Sequence, residues 1–312
     1  SLLWTPFATE ASERLLNIVA MAFMALAGYL AIPDRMRSAN LYILPVGVGM
    51  AALMGMVALF REGSAAGQDG QSLDRGMILL VLLLWPAMTW LHSRGRNLEA
   101  LLLAVIVALG SLFTTDALAL QALSVGAVAF VVTALVPVAG ARLTALLMGG
   151  LLLLAPTLPF LLHPLAFELL GPHSSVVSSL GIWRHVILDE PQRLITGHGL
   201  ETALRGRIFN LLPAAAPSSL LFEIWYELGL VGAVAGATLL HSAAVASGGE
   251  RPVLGPGIMA AFATAFALGC LGVGTAQIWW LTALIVVVLI FVAIERGQFR
   301  TTRPKAILRP VH

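Results

Sequence analysis

Long apolar runs separated by short polar breaks dominate the chain. A helix that crosses a bilayer needs about 20 mainly apolar residues, because hydrocarbon offers no partner to a bare backbone amide. Nine runs meet or approach that length: Leu15–Ile32, Asn40–Phe60, Gly76–Leu91, Leu98–Phe113, Ala117–Val138, Leu143–Leu162, Leu220–Leu240, Ile258–Gly274 and Ile278–Ile294. No segment alternates with period two over ten residues, which argues against a β-barrel. The expected fold class is therefore all-α, a polytopic transmembrane helical bundle of about nine spans forming a single membrane domain over residues 1–312. Gly63–Ser72 (GSAAGQDGQS) has no core-forming residue and reads as a flexible loop.

Composition supports the same class. The chain is 59% apolar and 11% charged, against about 25% charged in a soluble domain. With 18 Lys+Arg and 16 Asp+Glu it cannot solvate a soluble surface of this size, which excludes an ordinary cytosolic enzyme, a disordered chain and a nucleic-acid binder. A single cysteine, Cys270, excludes an internal disulfide and reads as a packing residue. Arginine bias orients the bundle. Arg296, Arg300, Arg303, Lys305 and Arg309 place the C-terminal tail in the cytoplasm, and alternate loops then carry Arg35, Arg37, Arg94, Arg96, Arg142 and Arg251 on that same side. The other side holds Arg14, Arg61 and Arg75 in its short segments. The N-terminus then falls outside, before an odd number of spans, so the expectation is a missing upstream part; a native outside N-terminus is the alternative.

The segment 163–219 is the only long polar connection, lies between the sixth and seventh runs, and is expected to be extracytoplasmic. Within it Ser178–Glu190 reads as an amphipathic helix, capped by Ser178 or Ser179 and ended by Pro191. Leu180, Trp183, Val186 and Ile187 form its apolar stripe. This helix either rests on the membrane with Arg184 reaching headgroups, or aims Arg184 at an anionic ligand. Gly197 and Gly199 flank His198 in a tight turn, and Arg193, Arg205 and Arg207 nearby could complete a cationic pocket, since a guanidinium fork matches phosphate. The histidine spacings fit no metal, and carboxylates are not clustered, so no metal or other cofactor is expected. Glu223 and Glu227 share one face of the seventh run, either at its interface or facing a cavity. Asp116 and Gln121 read as caps, and Trp279–Trp280 as an interfacial anchor.

Three stretches, in order, resemble bacterial O-antigen ligases and related polysaccharide polymerases. Asp74–Met88 (DRGMILLVLLLWPAM) is similar to the family's N-R…W-P stretch, Ser178–Leu200 to its R-x-x-x-W…P…G-x-G pattern, and Ser218–Gly232 to its H-[N/S/Q]-x9-G-x-x-G signature. The family has about twelve spans, so the resemblance also implies missing N-terminal spans. It implies a GT-C type membrane glycosyltransferase that moves glycan from undecaprenyl diphosphate to a lipid acceptor, as in lipopolysaccharide assembly at the bacterial inner membrane. Arginines of the family hold the diphosphate, and a histidine serves as general base. In this chain the histidine position is Ser218 and the arginine position is Ser179, while Trp183, Gly197, Gly199, Glu227, Gly229 and Gly232 are kept.

Two readings follow. In the first, the chain transfers glycan through a shifted site, with His198 as substitute base and Arg184, Arg193, Arg205 and Arg207 binding the lipid diphosphate. In the second, it is a catalytically silent relative, a pseudoenzyme kept as a structural or lipid-binding subunit of a membrane complex. The expected partners are membrane lipids, an undecaprenyl-diphosphate glycan, a lipid acceptor and other membrane subunits.

Overall fold

The computed structural model describes all residues except 35–37, 63–67, 115, 249–250, 252, 274–276 and 299–312. Arg35, Arg37, the tail charges from Arg300 onward and the first half of Gly63–Ser72 therefore lie outside the described residues. The helices in chain order are α1 (Ala8–Ala31), α2 (Ile43–Glu62), α3 (Gln68–Ser93), α4 (Asn97–Leu112), α5 (Leu118–Leu135), α6 (Pro137–Leu154), α7 (Leu158–Leu170), α8 (Ser175–Asp189), α9 (Arg193–Thr196), α10 (Thr202–Ile208), α11 (Leu220–Gly248), α12 (Gly255–Leu271) and α13 (Ile278–Gln298). No strand occurs among the described residues.

Among the described residues, seven helical stretches are long and apolar enough to cross a membrane: Ala8–Ala31, Asn40–Ala58, Ser72–Ser93, Leu118–Leu135, Pro137–Leu170, Leu220–Gly248 and Ile278–Gly297. The helices Asn97–Leu112 and Gly255–Leu271 are apolar but shorter. Helix ends differ from the sequence reading for local reasons. Residues 68–72, read as loop, begin α3; Gln68, Asp69, Gln71 and Ser72 each cost a helix only about half a kcal/mol, and Gly70 about 1 kcal/mol. Pro137 starts α6 at its first turn, where a missing N–H costs nothing, and Val136 before it is held extended. A short 3-10 turn at Ala155–Thr157 joins α6 to α7, so helix continues to Leu170 and the polar connection begins at Gly171.

Small residues set the closest packing. Helix α12 lies at the centre, buried along most of its length, against α5 and α3. A Cβ on Gly126 of α5 would stand 2.0 Å from the Thr264 hydroxyl and 2.6 Å from the Trp85 ring. That absent methyl lets the Trp85 indole donate to Thr264 Oγ1 at 2.8 Å, joining α3 and α12 beneath α5. Pro86 follows inside α3, and Thr89 one turn on donates its hydroxyl to the Trp85 carbonyl. Gly257 of α12 makes room for that hydroxyl. The W-P pair therefore acts here as a packing device. On the other side α6 meets α11, with Gly149 facing Ala237 and Gly236 admitting Leu152.

Helix α1 is peripheral. Of its residues only Ala11 is buried, while Leu16, Phe23 and Met24 are exposed, as suits a surface turned to hydrocarbon. It leans on α13, where Gly28 meets Leu289, and Arg296 at the end of α13 donates to the Tyr29 and Ile32 carbonyls. The ends of α1 and α13 thus share one face of the bundle. The start of α1 meets the connection 171–219 on the other, which we call the loop face.

Between α1 and α13 on one side and α11 and α12 on the other runs a groove of about 750 Å³. Its wall is almost wholly apolar, with Ile18, Leu284, Phe291, Leu240 and Phe266 among its residues. Arg14, Glu223 and Glu227 stand at its loop-face end, and Arg251 and Glu295, paired at 3.0 Å, at the opposite end.

Candidate functional site

The loop-face site begins with a break in α11. Gly229 adopts φ 62 and ψ −156, a conformation open to glycine alone, and turns the helix. Gly232, one turn on, leaves space for Leu228, whose Cβ would otherwise meet a methyl at 2.1 Å. At the break the carbonyl of Tyr226 accepts from the His198 amide at 2.8 Å, and that of Glu227 from the Gly199 amide at 3.0 Å. Gly197 and Gly199 both have positive φ, and a Cβ on Gly197 would stand 2.3 Å from the Glu227 carbonyl oxygen. The G-x-G turn and the G-x-x-G helix are thus two halves of one joint, Gly197 and Gly229 each needed for the backbone approach of the other, while Gly199 admits Thr5.

Buried charge gathers beside this joint. Arg14 of α1 bridges Glu201 at 3.0 Å and Glu227 at 3.1 Å, and the Ala203 amide also donates to Glu227. Arg205 pairs with Glu201 at 3.8 Å, and Arg207 with Glu223 at 3.6 Å while also donating to the Ala203 and Pro217 carbonyls. Three arginines therefore meet three glutamates. Glu201 sits at the head of α10 with φ 71, a left-handed backbone costing a non-glycine residue about 1–3 kcal/mol. The two arginines on its carboxylate over-determine that geometry.

The remaining predicted residues fall into separate places. Helix α8 starts earlier than its reading: Ser174, accepting from the Val176 amide, is the cap, because Val176 and Val177 extend the helix and Val177 is buried. Trp183 and Ile187 are buried in the bundle, with Trp183 edge-on to Phe222 at 5.6 Å, so the apolar stripe packs on protein. Arg184 is apart from the other arginines, 5.6 Å over the Phe160 ring. Ser179 donates to the Ala215 carbonyl at 2.8 Å, tying α8 to the segment before α11. Ser218 is exposed three residues later, and Ser219 caps α11 by accepting from the Phe222 amide.

His198 belongs to a different cluster. Its ring stacks on Tyr226 at 4.0 Å, and Nδ1 donates to the Tyr226 carbonyl at 3.1 Å. Nε2 faces the Glu190 carboxylate at 3.5 Å, and that carboxylate also pairs with Arg193 at 3.4 Å. Burial pushes the imidazole below its usual 6.5, against the opposing pull of the Tyr226 carbonyl and Glu190. The ring lines a crevice of about 20 Å³ with Trp183 and Trp225, not the large groove.

Sequence reasoning missed Arg14 and Glu201. Arg14 lies 187 and 213 residues from its two partners, and nothing local distinguishes it from a topology-setting charge. Glu201 gave one weak signal, its place directly after G-x-G-x. Among the described residues no three His, Cys, Asp or Glu side chains come together as metal ligands.

Fold and site define an all-helical membrane protein with an apolar groove headed by a buried ion cluster. No family model matches the chain, and no solved structure matches it. A protein of Rickettsia conorii named "Putative polysaccharide ligase RC0486" is 26% identical over 227 residues, covering 68% of this chain and 55% of the relative. The chain thus spans about half the length of the curated relative that it matches. The likeness is distant and points to a ligase-like membrane protein.

Proposed function

We propose that the chain is an O-antigen-ligase-like protein of the GT-C type that receives a polyprenyl-linked glycan, its groove holding the isoprenoid chain of undecaprenyl diphosphate. In this reading nine helices cross the bacterial cytoplasmic membrane, with the loop face in the periplasm and the C-terminus in the cytoplasm. The observation that carries it is the groove of about 750 Å³, apolar along its length and charged at both ends. Such a space suits a long hydrocarbon chain whose head stays at the loop face.

Transfer would join an acceptor hydroxyl oxygen to the anomeric carbon while the bond from that carbon to the diphosphate oxygen breaks. The diphosphate leaves with the electron pair, and the hydroxyl proton passes to a base. Ser218 cannot take that proton at neutral pH, and Ser179 carries no charge to balance the leaving group. A positioned base alone is worth about 10²–10⁴-fold in rate. A specific observation favours the second, silent reading: Arg205 and Arg207 face carboxylates, and the Ser179 hydroxyl is bonded to Ala215.

The test is glycan transfer in proteoliposomes carrying undecaprenyl-diphosphate glycan and a lipid acceptor. Transfer by the unmodified chain refutes the silent reading. A rise of about 10²-fold or more in the Ser218→His, Ser179→Arg double variant supports a retained ligase scaffold with its base removed. No transfer by either chain, together with no retention of the lipid-linked glycan on purification, refutes the ligase-like assignment.

A further inference from the structure

We infer that a second, polar recess on the loop face is a binding site for a sugar ring. It measures about 290 Å³ and is framed by three helices, with Asp74 and Arg75 two turns into α3, Asp116 ahead of α5, and Gln277 and Trp279 at the head of α13. Ile78, Leu118 and Val273 supply its apolar part. It shares no lining residue with the large groove, yet the two are neighbours. Trp279 lines the recess, Trp280 lines the groove, and their rings meet edge-on at 5.9 Å.

The chemistry of the walls selects the ligand class. An alkyl chain would strip water from charged side chains with nothing in return. Phosphate would face two carboxylates against one guanidinium, and a simple cation would face that guanidinium. A polyol fits both kinds of group, because each hydroxyl donates and accepts. Asp116 supplies acceptors, and the Arg75 guanidinium supplies donors. The carbonyl oxygen of Gln277 already accepts from the Trp279 indole N–H, so its amide NH₂ is the part left to donate. The Trp279 ring offers a flat apolar surface of the kind that covers the C–H face of a pyranose. A recess of this size, just below the usual range of about 300–1,000 Å³ for drug-sized ligands, matches a ligand of one ring.

Position gives the recess its role. Gly272 is one of its lining residues, and a Cβ there would lie 3.3 Å from the Ser218 hydroxyl. Gly272 therefore joins the recess to the residue that stands at the ligase histidine position. This inference rests on the glycan-handling reading above, and it assigns a sugar unit to α3, α5 and α13 rather than to the connection 171–219. Trp279 is then a recognition surface as well as a membrane-boundary residue, and Asp116, expected as a cap, makes no side-chain cap to α5, whose N-cap is Ala117, and is a ligand contact instead.

The test is saturation-transfer NMR on the full chain in nanodiscs, with the methyl glycosides of glucose, galactose, rhamnose and N-acetylglucosamine as probes and inorganic phosphate as competitor. The expected result is transfer to at least one glycoside, weakened tenfold or more by Asp116→Ala and by Trp279→Ala and unchanged by Glu190→Gln. Trp279→Phe, which keeps an apolar ring, serves if Trp279→Ala fails to fold, and retains part of the signal. The inference is overturned if no glycoside binds, if binding ignores both substitutions, or if phosphate displaces the sugar. Glycoside binding by a chain that transfers no glycan counts against the transferase reading and leaves the recess standing. Transfer by a chain that binds no glycoside removes the recess alone.

Discussion

Replacing Gly229 with Ala tests the joint between α11 and the connection before it. The added methyl would stand 2.6 Å from both the Gly197 amide nitrogen and the Ile195 carbonyl oxygen. Both are backbone atoms, so no rotamer change can make room. Holding alanine at φ 62 and ψ −156 costs about 1–3 kcal/mol. Moving the turn away instead breaks the two hydrogen bonds from His198 and Gly199, worth about 0.5–1.5 kcal/mol each. Either response costs about 1–3 kcal/mol. At about 1.4 kcal/mol per tenfold, amide exchange through local opening at His198 and Gly199 rises about fivefold or more. Hydrogen–deuterium exchange in nanodiscs reads this directly. Gly150→Ala is the control: it lies in α6 with nothing within 4 Å of a new methyl, and it is expected to be neutral or stabilising by about 0.5–1 kcal/mol. Wild-type exchange at residues 198 and 199 in Gly229→Ala would refute the interlocked joint.

Arg14→Met leaves Glu201 and Glu227 buried beside a lost partner and is expected to destabilise by about 3–5 kcal/mol in an SDS unfolding titration, with Glu227→Gln added to it recovering part of the loss. An additive double variant would show that the pair does not interact. His198 has a depressed pKa in the fold, so its contribution is full above the unfolded value near 6.5 and is lost as pH falls through the lower folded value. Unfolding midpoints at pH 7.5 and 5.5 should therefore differ more for the natural chain than for His198→Phe, which keeps the stack on Tyr226. Gly126→Ala drives a methyl into the Trp85–Thr264 contact and should cost about 1–3 kcal/mol, read by the same titration.

Most helices were legible because lipid imposes one rule on every span, and runs such as Leu118–Leu135 obey it over their whole length. The boundaries were not. Pro137 opens a helix although the apolar run passes through it, since a proline at a first turn is cheap, and residues 68–72 begin α3 although no apolar run reaches them. At the site, the glycines at 197, 199, 229 and 232 were legible from their spacing, but the joint that Gly197 and Gly229 make was not, because it depends on two backbones meeting in space. The expected arginines were visible one by one. Their grouping was not: Arg205 and Arg207 meet glutamates in a cluster with Arg14, Arg193 meets Glu190, and Arg184 lies over Phe160. Ion pairing across hundreds of residues leaves no local trace.

Helix α11 also carries a constraint on biogenesis. Two of its carbonyls find donors outside their own helix, on a turn synthesised 28 residues earlier. The turn is thus already available when the ribosome delivers α11, and the pair can close without waiting for the rest of the bundle. A nascent chain with a damaged turn would reach the bilayer boundary with bare acceptors, at a cost of several kcal/mol each in a dry environment. Defects there would surface as rejected, degraded polypeptide long before they could surface as altered chemistry.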